Sequence, residues 1–200
     1  MIQYKLARHS TYFRLIRREE RARLKPPEKI ETQRLTLRPP VLKDAEAIFH
    51  NYAKDKLVTR YLHWETHESI EETRKFIRRC ISVWQAGTAF PWALCLKETG
   101  EIVGMIELRI NEHRADLGYV LSREFWEQGY ATEAAKLVVD WAIAQPNIYR
   151  VWAVCDVDNR ASARVLEKIG MQREGVLRRW LFHPNVDKKP RDCYAYSIVK

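Results

Sequence analysis

The sequence predicts a mixed α/β domain, and two observations lead to that prediction. Segments with strand and helix periodicity follow one another as one strand, two helices, three strands, a helix, a strand, a helix and two strands. Residues 116–157 combine a strand, a helix and a second strand, which builds one βαβ crossover. Ligands in such sheets bind beyond the carboxyl ends of the parallel strands, so we expect the functional site at the end of the first crossover strand.

The chain divides into a basic N-terminal arm, residues 1–30, and a domain at residues 31–200. Of the formal net charge of +9, residues 1–29 carry +6, from nine Lys and Arg against three acidic residues. A helix is predicted over residues 10–25, ended by the Pro-Pro pair at 26–27. Two interpretations of the arm stay open: a solvated or loosely docked segment, or an electrostatic contact with RNA or another acidic surface.

The first half of the domain reads as a strand, two helices separated by a loop, and three strands. Pro39 and Pro40 end the first strand, and the Thr99-Gly100 pair predicts a hairpin turn. The predicted strands are residues 34–38, 91–97, 101–110 and 116–121, the helices are residues 43–53 and 69–85, and the loop is residues 61–67.

The second half contains the clearest helix of the sequence, residues 132–144. Its apolar residues recur with helical spacing and predict the buried face. These are Ala134, Leu137, Val138, Trp141 and Ala142. A mostly apolar strand at 149–157 and a helix at 159–169 follow, and strands at 172–182 and 193–199 close the sheet.

Composition narrows the class of protein. No stretch is long or apolar enough to span a bilayer, and the N-terminus has no apolar signal-peptide core, so we expect a cytoplasmic protein without membrane contact. The four cysteines are widely spaced and form no CxxC pair, which favours buried thiols over a disulfide or a zinc site. No metal is expected.

The turn after the first crossover strand has the residue types of a phosphate site. Gly129 permits a positive φ, and the small Ala131 lets other atoms approach the backbone. The free N–H groups at the start of the following helix then point at one place, where the helix dipole favours an anion. A glycine before a helix is also a common plain turn, so composition alone leaves both interpretations open.

Five ordered segments resemble the GCN5-related N-acetyltransferase superfamily, and more narrowly its branch of ribosomal-protein alanine and serine N-acetyltransferases. The stretch Phe125-Trp-Glu-Gln-Gly-Tyr-Ala-Thr-Glu-Ala134 is similar to the acetyl-CoA motif. The other segments are Glu31-Thr-Gln-Arg-Leu-Thr-Leu-Arg38, Tyr61-Leu-His-Trp64 with His67-Glu-Ser69, Leu117-Gly-Tyr-Val-Leu121, and Asp158-Asn-Arg-Ala-Ser162 continuing to Arg178. The superfamily often has Arg or Gln where this chain has Trp126, which we interpret as a packing residue.

The resemblance implies a fold and a cofactor site. The fold would be a mixed central sheet flanked by helices, with one βαβ cofactor-binding crossover and acetyl-CoA as co-substrate. The backbone of Tyr119, Val120 and Leu121 would bind the pantetheine amides. The turn formed by Gln128, Gly129, Tyr130, Ala131 and Thr132 would carry the pyrophosphate. Asn159, a good helix N-cap on physical grounds, would contact the cofactor arm.

The resemblance also implies catalytic roles. Ser162 sits where a general acid would protonate the leaving thiolate; the alternative is a hydroxyl bonded back to its own helix. Glu107 is our first choice for the general base, although a solvent-facing strand carboxylate is the alternative. Other candidate bases are Asp116, Glu65, His63 and His67. The loop containing His63, Trp64 and Glu65 would border the acceptor.

The acceptor is predicted to be a primary amine, first of all a protein or peptide N-terminus. An α-amine with a pKa of about 7.8 is partly neutral at pH 7.4, whereas a lysine amine near 10.4 carries a handicap of about 4 kcal/mol. A site without an evident strong base therefore suits an α-amine. The alternatives are a small-molecule amine, such as a polyamine, an antibiotic or an amino-acid conjugate, and a non-catalytic CoA- or RNA-binding module. A monomer and a homodimer both remain open.

Overall fold

The computed structural model describes residues 24–200, so the predicted helix at 10–25 and most of the basic arm lie outside the described residues. Leu24 packs against the hydrophobic core. Trp92, a fully buried residue of the sheet, donates a hydrogen bond from Nε1 to the Pro27 carbonyl at 3.1 Å. The described end of the arm is therefore attached to the domain.

A sheet of eight strands forms the centre of the described residues. The strands are β1 (Ile30–Glu31), β2 (Leu35–Arg38), β3 (Ala89–Leu96), β4 (Ile102–Asn111), β5 (Arg114–Leu121), β6 (Arg150–Asp156), β7 (Gln172–Leu181) and β8 (Arg191–Val199). The α-helices are α1 (Ala45–Ile48), α2 (Lys56–Thr59), α3 (Ile70–Ala86), α4 (Tyr130–Ala144) and α5 (Arg160–Lys168).

The strands lie in the order β1-β2-β3-β4-β5-β6-β8-β7, and every neighbouring pair is antiparallel except β5 and β6. The parallel pair is joined through α4, which is the predicted βαβ crossover. Its pairing is short: only residues 114–116 of β5 are in register with residues 150–152 of β6. Beyond that point the two strands separate, and within residues 24–200 no strand pairs with the carboxyl half of β5 on that side.

Two hydrophobic cores cover the two faces of the sheet. The larger core packs α4 and α5 on one face, with Trp92, Leu108 and Val138 fully buried. The smaller core packs α1 and α3 on the other face, around Tyr52 and Ile77. The layers are helices, sheet and helices, so the prediction of a mixed α/β fold is confirmed.

The buried face of α4 is rotated from the predicted one. The fully buried residues of the helix are Ala134, Ala135, Val138, Val139 and Ala142, whereas the predicted Leu137 and Trp141 are only partly buried. The prediction of the buried face relied on the large side chains of Leu137 and Trp141. The smaller alanines lie closest to the sheet because they allow the helix backbone to approach it.

The region of residues 42–53 is less regular than the predicted single helix. It consists of a 3₁₀ turn at Leu42–Asp44, α1, and a π-helical turn at Phe49–Ala53. The sequence pattern also did not predict β1 or α2. With two and four residues, these elements are too short to show the periodicity of apolar residues that identifies a strand or a helix. Between residues 24 and 200, no helix is both long enough and apolar enough to cross a membrane.

Candidate active site

A cleft of about 610 Å³ opens where β5 and β6 separate. It runs between the end of β5, the start of α4 and one face of α5. Most residues predicted to bind the cofactor line it: Tyr119, Val120, Leu121, Gly129, Ala131, Thr132 and Asn159, together with Ser162. Gln128 and Tyr130 do not line it. We call this space the cofactor cleft.

The turn at the start of α4 has the geometry of an anion site. Gly129 has φ +83° and stands at the N-cap position, with no side chain capping the helix. The N–H groups of Tyr130, Ala131 and Thr132 lie in the first helical turn, where no carbonyl of the helix can accept from them. They are therefore available to an anion at this end of the cofactor cleft.

Arg34, the residue immediately before β2, holds this turn. Its Nε and Nη2 donate to the Glu133 carboxylate at 2.8 and 2.7 Å, and its Nη1 donates to the Gln128 carbonyl at 3.0 Å. The guanidinium also stacks on the Tyr130 ring, 4.0 Å from its centroid. Gln128 and Tyr130 thus support the turn from behind. Sequence reasoning missed this role of Arg34, although the residue lies in one of the resembling segments.

The backbone of β5 presents alternate peptide groups to the cofactor cleft. The Ser122 N–H donates to the Val103 carbonyl at 2.7 Å and continues the ladder between β4 and β5. Because hydrogen-bonded pairs alternate in such a ladder, the Val120 peptide pairs with β4. The peptide groups of Tyr119 and Leu121 point the other way, into the space that β6 has left. Val120 also lines the cleft, and its side chain packs against the smaller core.

Trp126 forms a hydrogen bond with one of these backbone groups, the Leu121 carbonyl. Its indole Nε1 donates to the Leu121 carbonyl at 2.8 Å, and 41% of the residue is exposed. This leaves the Leu121 N–H as the backbone donor of that residue directed into the cofactor cleft. The hydrogen bond from Trp126 therefore helps to hold Leu121 in place.

Ser162 and Tyr119 form a hydroxyl pair across the gap. Their Oγ and Oη atoms are 2.8 Å apart, and the Tyr119 hydroxyl also lies 3.2 Å from the Ser162 carbonyl. The Asn159 side chain caps α5 by accepting from the Ser162 N–H at 3.1 Å. Burial raises the pKa of Tyr119 well above its usual value, so this hydroxyl is protonated at neutral pH.

A second cleft, of about 390 Å³, adjoins the first and is lined by residues of β4, β5 and β6. We call it the acceptor cleft. His63, Trp64, Glu107 and Asp116, which were predicted to border the acceptor or to act as the base, line it. The predicted Glu65 does not line it.

Aromatic side chains make up much of the wall of the acceptor cleft: Tyr61, Trp64, Phe76, Trp152 and Trp180. His67, a further candidate base, does not reach the cleft. Its Nδ1 lies 2.8 Å from the Thr73 hydroxyl, and its ring packs against Trp64 and Phe76.

Arg109 pairs with both carboxylates of the acceptor cleft. Its Nη1 lies 3.5 Å from Glu107, and its Nη2 lies 2.7 Å from Asp116. Burial raises the pKa of Asp116, and Arg109 offsets part of that rise. Since Arg79 adds a second guanidinium, the formal charges of Glu107, Asp116, Arg79 and Arg109 in the cleft cancel.

The two histidines of the acceptor cleft are held toward their neutral forms. Desolvation by the surrounding protein lowers the pKa of His63, and Arg109 and Arg79 lower it further, although the ring is exposed at the mouth of the cleft. Burial also lowers the pKa of His183, against the opposing effect of Asp156, whose carboxylate lies 3.6 Å from the ring. A neutral imidazole can accept a proton, so His63 stays a candidate base.

Asn185, from the loop between β7 and β8, fixes the wall that carries His63 and Trp64. Its Nδ2 donates to the Thr59 and Trp64 carbonyls at 2.9 and 2.8 Å. Its Oδ1 accepts from the Thr66 backbone N–H at 3.0 Å. Nothing in the sequence pattern linked Asn185 with residues more than 110 positions earlier, and this role was missed.

The two clefts share six lining residues, so a ligand in one can reach a ligand in the other at this place. They are Tyr61, Leu62, Tyr119, Val120, Asn159 and Ser162. The meeting point carries the Tyr119–Ser162 hydroxyl pair and the Leu121 N–H nearby. These are proton donors for a group-transfer reaction between two substrates.

Burial holds the cysteines in their thiol form, and one of them, Cys155, lines the acceptor cleft. The four cysteines are buried and free, and burial raises the pKa of Cys80 and Cys155 to about 12. Over the described range of 24–200, no group of three or more His, Cys, Asp and Glu side chains is placed to hold a metal ion.

Known proteins share this fold and sequence pattern. The acetyltransferase (GNAT) domain family matches residues 34–172. A Bacillus subtilis (strain 168) protein described as the uncharacterized N-acetyltransferase YoaA is 37% identical over 174 residues, which cover 86% of this chain and 96% of the relative.

Two solved structures are similar over almost their whole length. The microcin C7 self-immunity acetyltransferase MccE, in complex with acetyl-CoA and AMP, has a TM-score of 0.78 at 25% identity, covering 88% of this chain and 98% of that one. The ribosomal L7/L12 α-N-protein acetyltransferase RimL, in its apo form, has a TM-score of 0.77 at 25% identity, covering 86% and 94%.

Proposed function

This chain belongs to the acetyltransferase (GNAT) domain family and is an acetyl-CoA-dependent N-acetyltransferase; we propose that its acceptor is the α-amine of a protein or peptide N-terminus. Family membership and a close N-acetyltransferase relative support an enzyme over a non-catalytic CoA- or RNA-binding module. What the family leaves open is the acceptor, because proteins with this fold act on different amines.

The cofactor cleft fits acetyl-CoA. The unpaired half of β5 offers the peptide groups of Tyr119 and Leu121 to a ligand that runs along the strand. The Gly129 turn offers three helical N–H groups to a pyrophosphate. Asn159 lies beside both, at the start of α5. The bound co-substrate would supply an activated acetyl thioester and a thiolate leaving group.

The observation that favours an α-amine over a polyamine is the balance of charge in the acceptor cleft. Arg109 is paired with both carboxylates, Glu107 and Asp116, so neither presents an uncompensated negative charge to an incoming polycation. A polyamine would bring two or more positive charges into a cleft whose formal charges already cancel. An N-terminal α-amine has a pKa of about 7.8 and enters partly neutral, which suits such a cleft.

The proposed mechanism is direct attack without a covalent enzyme intermediate. Glu107, Asp116 or His63 takes the proton that the amine loses, and Glu107 stays our first choice because it lines the acceptor cleft from β4. The Leu121 N–H donates to the oxygen of the acetyl carbonyl as charge develops there. The Val120 N–H is not available for that role, because the Val120 peptide pairs with β4.

Ser162 Oγ would donate its proton to the departing sulfur. The Tyr119 hydroxyl, 2.8 Å from Ser162 Oγ, stays protonated because burial raises its pKa, and it would position the Ser162 hydroxyl by hydrogen bonding. After CoA leaves, the proton taken up by the general base would return to Ser162 through solvent. A thiol has a pKa of about 8.5, so a weak acid is sufficient for this step.

The structural similarity to RimL supports an N-terminal acceptor, since that protein is described as an α-N-protein acetyltransferase. We further propose a cytoplasmic location, where ribosomal and other N-termini are available as they are made. The basic arm at residues 1–29 would hold the enzyme near RNA or an acidic protein surface. The oligomeric state stays a prediction, monomer or homodimer.

A thiol-release assay with three acceptors tests the proposal. One arm uses a short peptide with a free N-terminus and no lysine, the second uses the same peptide acetylated at its N-terminus and carrying one lysine, and the third uses spermidine. We expect turnover with the first peptide, at least about tenfold faster than with the others, because of the difference in neutral amine. Faster turnover with spermidine would reject the proposed acceptor and leave the acetyltransferase activity in place.

A further inference from the structure

Three cations form a row along one face of α5. Arg160, Arg164 and Lys168 are spaced by four residues, so they lie on the same side of the helix. All three line the cofactor cleft and are exposed to solvent. At a rise of 1.5 Å per residue, the row extends over about 12 Å.

This row has no anionic partner among residues 24–200, where no ion pair or hydrogen bond involves the side chain of any of its three members. The cleft contains two acidic residues. Asp158 is paired with Arg191 at 2.6 Å, and Glu127 belongs to the loop before the Gly129 turn. The α5 side of the cleft therefore carries an excess of positive charge.

Exposed cations of this kind are solvated and cost little by themselves, but a row of them beside a cleft attracts a ligand that carries negative charge. The pyrophosphate of acetyl-CoA is assigned to the helix start at Gly129, which belongs to α4. The same molecule carries a separate phosphate on the 3′ position of its ribose, with a charge near −2 at neutral pH. The Gly129 turn offers no second set of donors for it.

We propose that the row of Arg160, Arg164 and Lys168 is the subsite for the 3′-phosphate of CoA. The inference rests on acetyl-CoA as the co-substrate and is independent of the acceptor. Long side chains on an exposed helix face can follow a phosphate that is held only at the mouth of the cleft. Such a subsite would let the enzyme distinguish CoA from its 3′-dephospho form.

The direct test is calorimetric titration with CoA and with 3′-dephospho-CoA in the absence of acceptor. We expect the wild type to bind CoA about tenfold more tightly, the effect of one partly exposed charge-assisted phosphate contact. In the triple variant R160Q/R164Q/K168Q, CoA affinity should fall to that of 3′-dephospho-CoA, while the affinity for 3′-dephospho-CoA changes less than about twofold. The preference for CoA should also weaken with added salt, because the contacts are exposed.

A variant with the same change of charge outside both clefts is the control. K43Q/K75Q/R78Q removes three exposed cations from the opposite face of the sheet and should keep the preference for CoA. Thermal unfolding of both variants checks that they are folded. Equal affinity of the wild type for the two ligands would overturn the proposal, and so would a triple row variant that keeps the full preference. Since no acceptor is present, failure of the proposed acceptor would leave this test unchanged.

Discussion

The cofactor cleft and the acceptor cleft meet at Tyr119 and Ser162 but are built in different ways. The cofactor cleft depends on backbone groups of two short segments, the end of β5 and the start of α4. The acceptor cleft depends on side chains from segments far apart in the chain, joined by contacts such as that between Asn185 and Trp64.

This difference has a chemical reason. Acetyl-CoA presents the same amides and phosphates whatever the acceptor is, so fixed backbone donors suffice to bind it. An acceptor is recognised by shape and charge, which side chains supply. Changes in the cofactor cleft should therefore affect the binding of acetyl-CoA, and changes in the acceptor wall should leave that binding intact.

The largest effect is expected from Gly129→Asp. The substituted residue would have to hold φ +83°, and its Cβ would lie 3.5 Å from Arg34 Nη2, where the new carboxylate competes for the guanidinium that supports the turn. We expect a loss of acetyl-CoA affinity of at least about 100-fold, because a displaced turn loses several charge-assisted hydrogen bonds to the pyrophosphate and the added negative charge opposes the anion. Calorimetric titration with acetyl-CoA measures it.

Gly100→Asp is the matched control for backbone strain. Gly100 has φ +75° in the β3–β4 turn, outside both clefts, and an added Cβ would meet nothing within 4 Å. It should destabilise the fold to a similar degree and leave acetyl-CoA affinity unchanged. Equal loss of affinity in the two variants would mean that strain, and not the phosphate site, is being measured.

Ser162→Ala should lower kcat by about 10- to 100-fold, at the lower end of what a proton donor contributes. The KM for acetyl-CoA should change little, since the only contact proposed between this hydroxyl and the co-substrate is with the thioester sulfur. Tyr119→Phe should lower kcat less, because Tyr119 acts through Ser162. Steady-state kinetics with both substrates varied would measure the split.

Tyr149→Phe removes an exposed hydroxyl outside both clefts and serves as the control for the tyrosine change. An unchanged kcat in Ser162→Ala would remove Ser162 from the mechanism. A Tyr119→Phe variant slower than Ser162→Ala would place the proton donor on Tyr119 instead.

A smaller, selective effect is expected from Asn185→Ala. The loss of two donors and one acceptor should loosen the loop that carries His63 and Trp64, and raise the KM for the acceptor about tenfold. The KM for acetyl-CoA should stay within about twofold of the wild-type value. Asn185→Asp keeps the acceptor for Thr66 but removes both donors, so its effect should be intermediate.

Asn147→Ala changes an exposed loop asparagine outside both clefts and is the control. If Asn185→Ala raised the KM for the acceptor and the KM for acetyl-CoA equally, the wall that Asn185 holds would also shape the cofactor cleft. That result would contradict the view that the two clefts are built independently.

The smallest effect concerns stability away from both clefts. Glu174 pairs with Arg150 and accepts from the Ser197 hydroxyl at 2.6 Å; Arg150 and Ser197 lower its pKa from 4.5 to about 2. Because the folded-state pKa is the lower one, the stabilisation is present above pH 4.5 and is lost as the pH falls toward 2. The pair is partly exposed, so it should contribute less than about 1 kcal/mol.

Thermal unfolding of wild type and Glu174→Gln across this pH range checks the direction. The difference in Tm should be constant above about pH 5 and shrink below it. A difference that grows on acidification would contradict the pKa assignment.

The same contrast explains what the sequence could predict. The crossover, the Gly129 turn and the Asn159 cap depend on residues close together in the chain, so their spacing and residue types were informative. The attachment of Asn185 to Thr59 and the pairing of Arg109 with Asp116 across two strands depend on the folded arrangement. The resemblance placed His63, Trp64 and Glu65 at the acceptor, yet in the folded chain His63 and Trp64 line the acceptor cleft and Glu65 does not.

The central claim is that an α-amine is acetylated in the acceptor cleft, where Arg109 already forms ion pairs with Glu107 and Asp116. One peptide carrying both a free N-terminus and an internal lysine tests it most directly, with tandem mass spectrometry locating the acetyl group after a single round of reaction. We predict acetylation at the N-terminal α-amine at least about tenfold over the lysine Nζ. Acetylation of the lysine at an equal or greater rate would contradict the account.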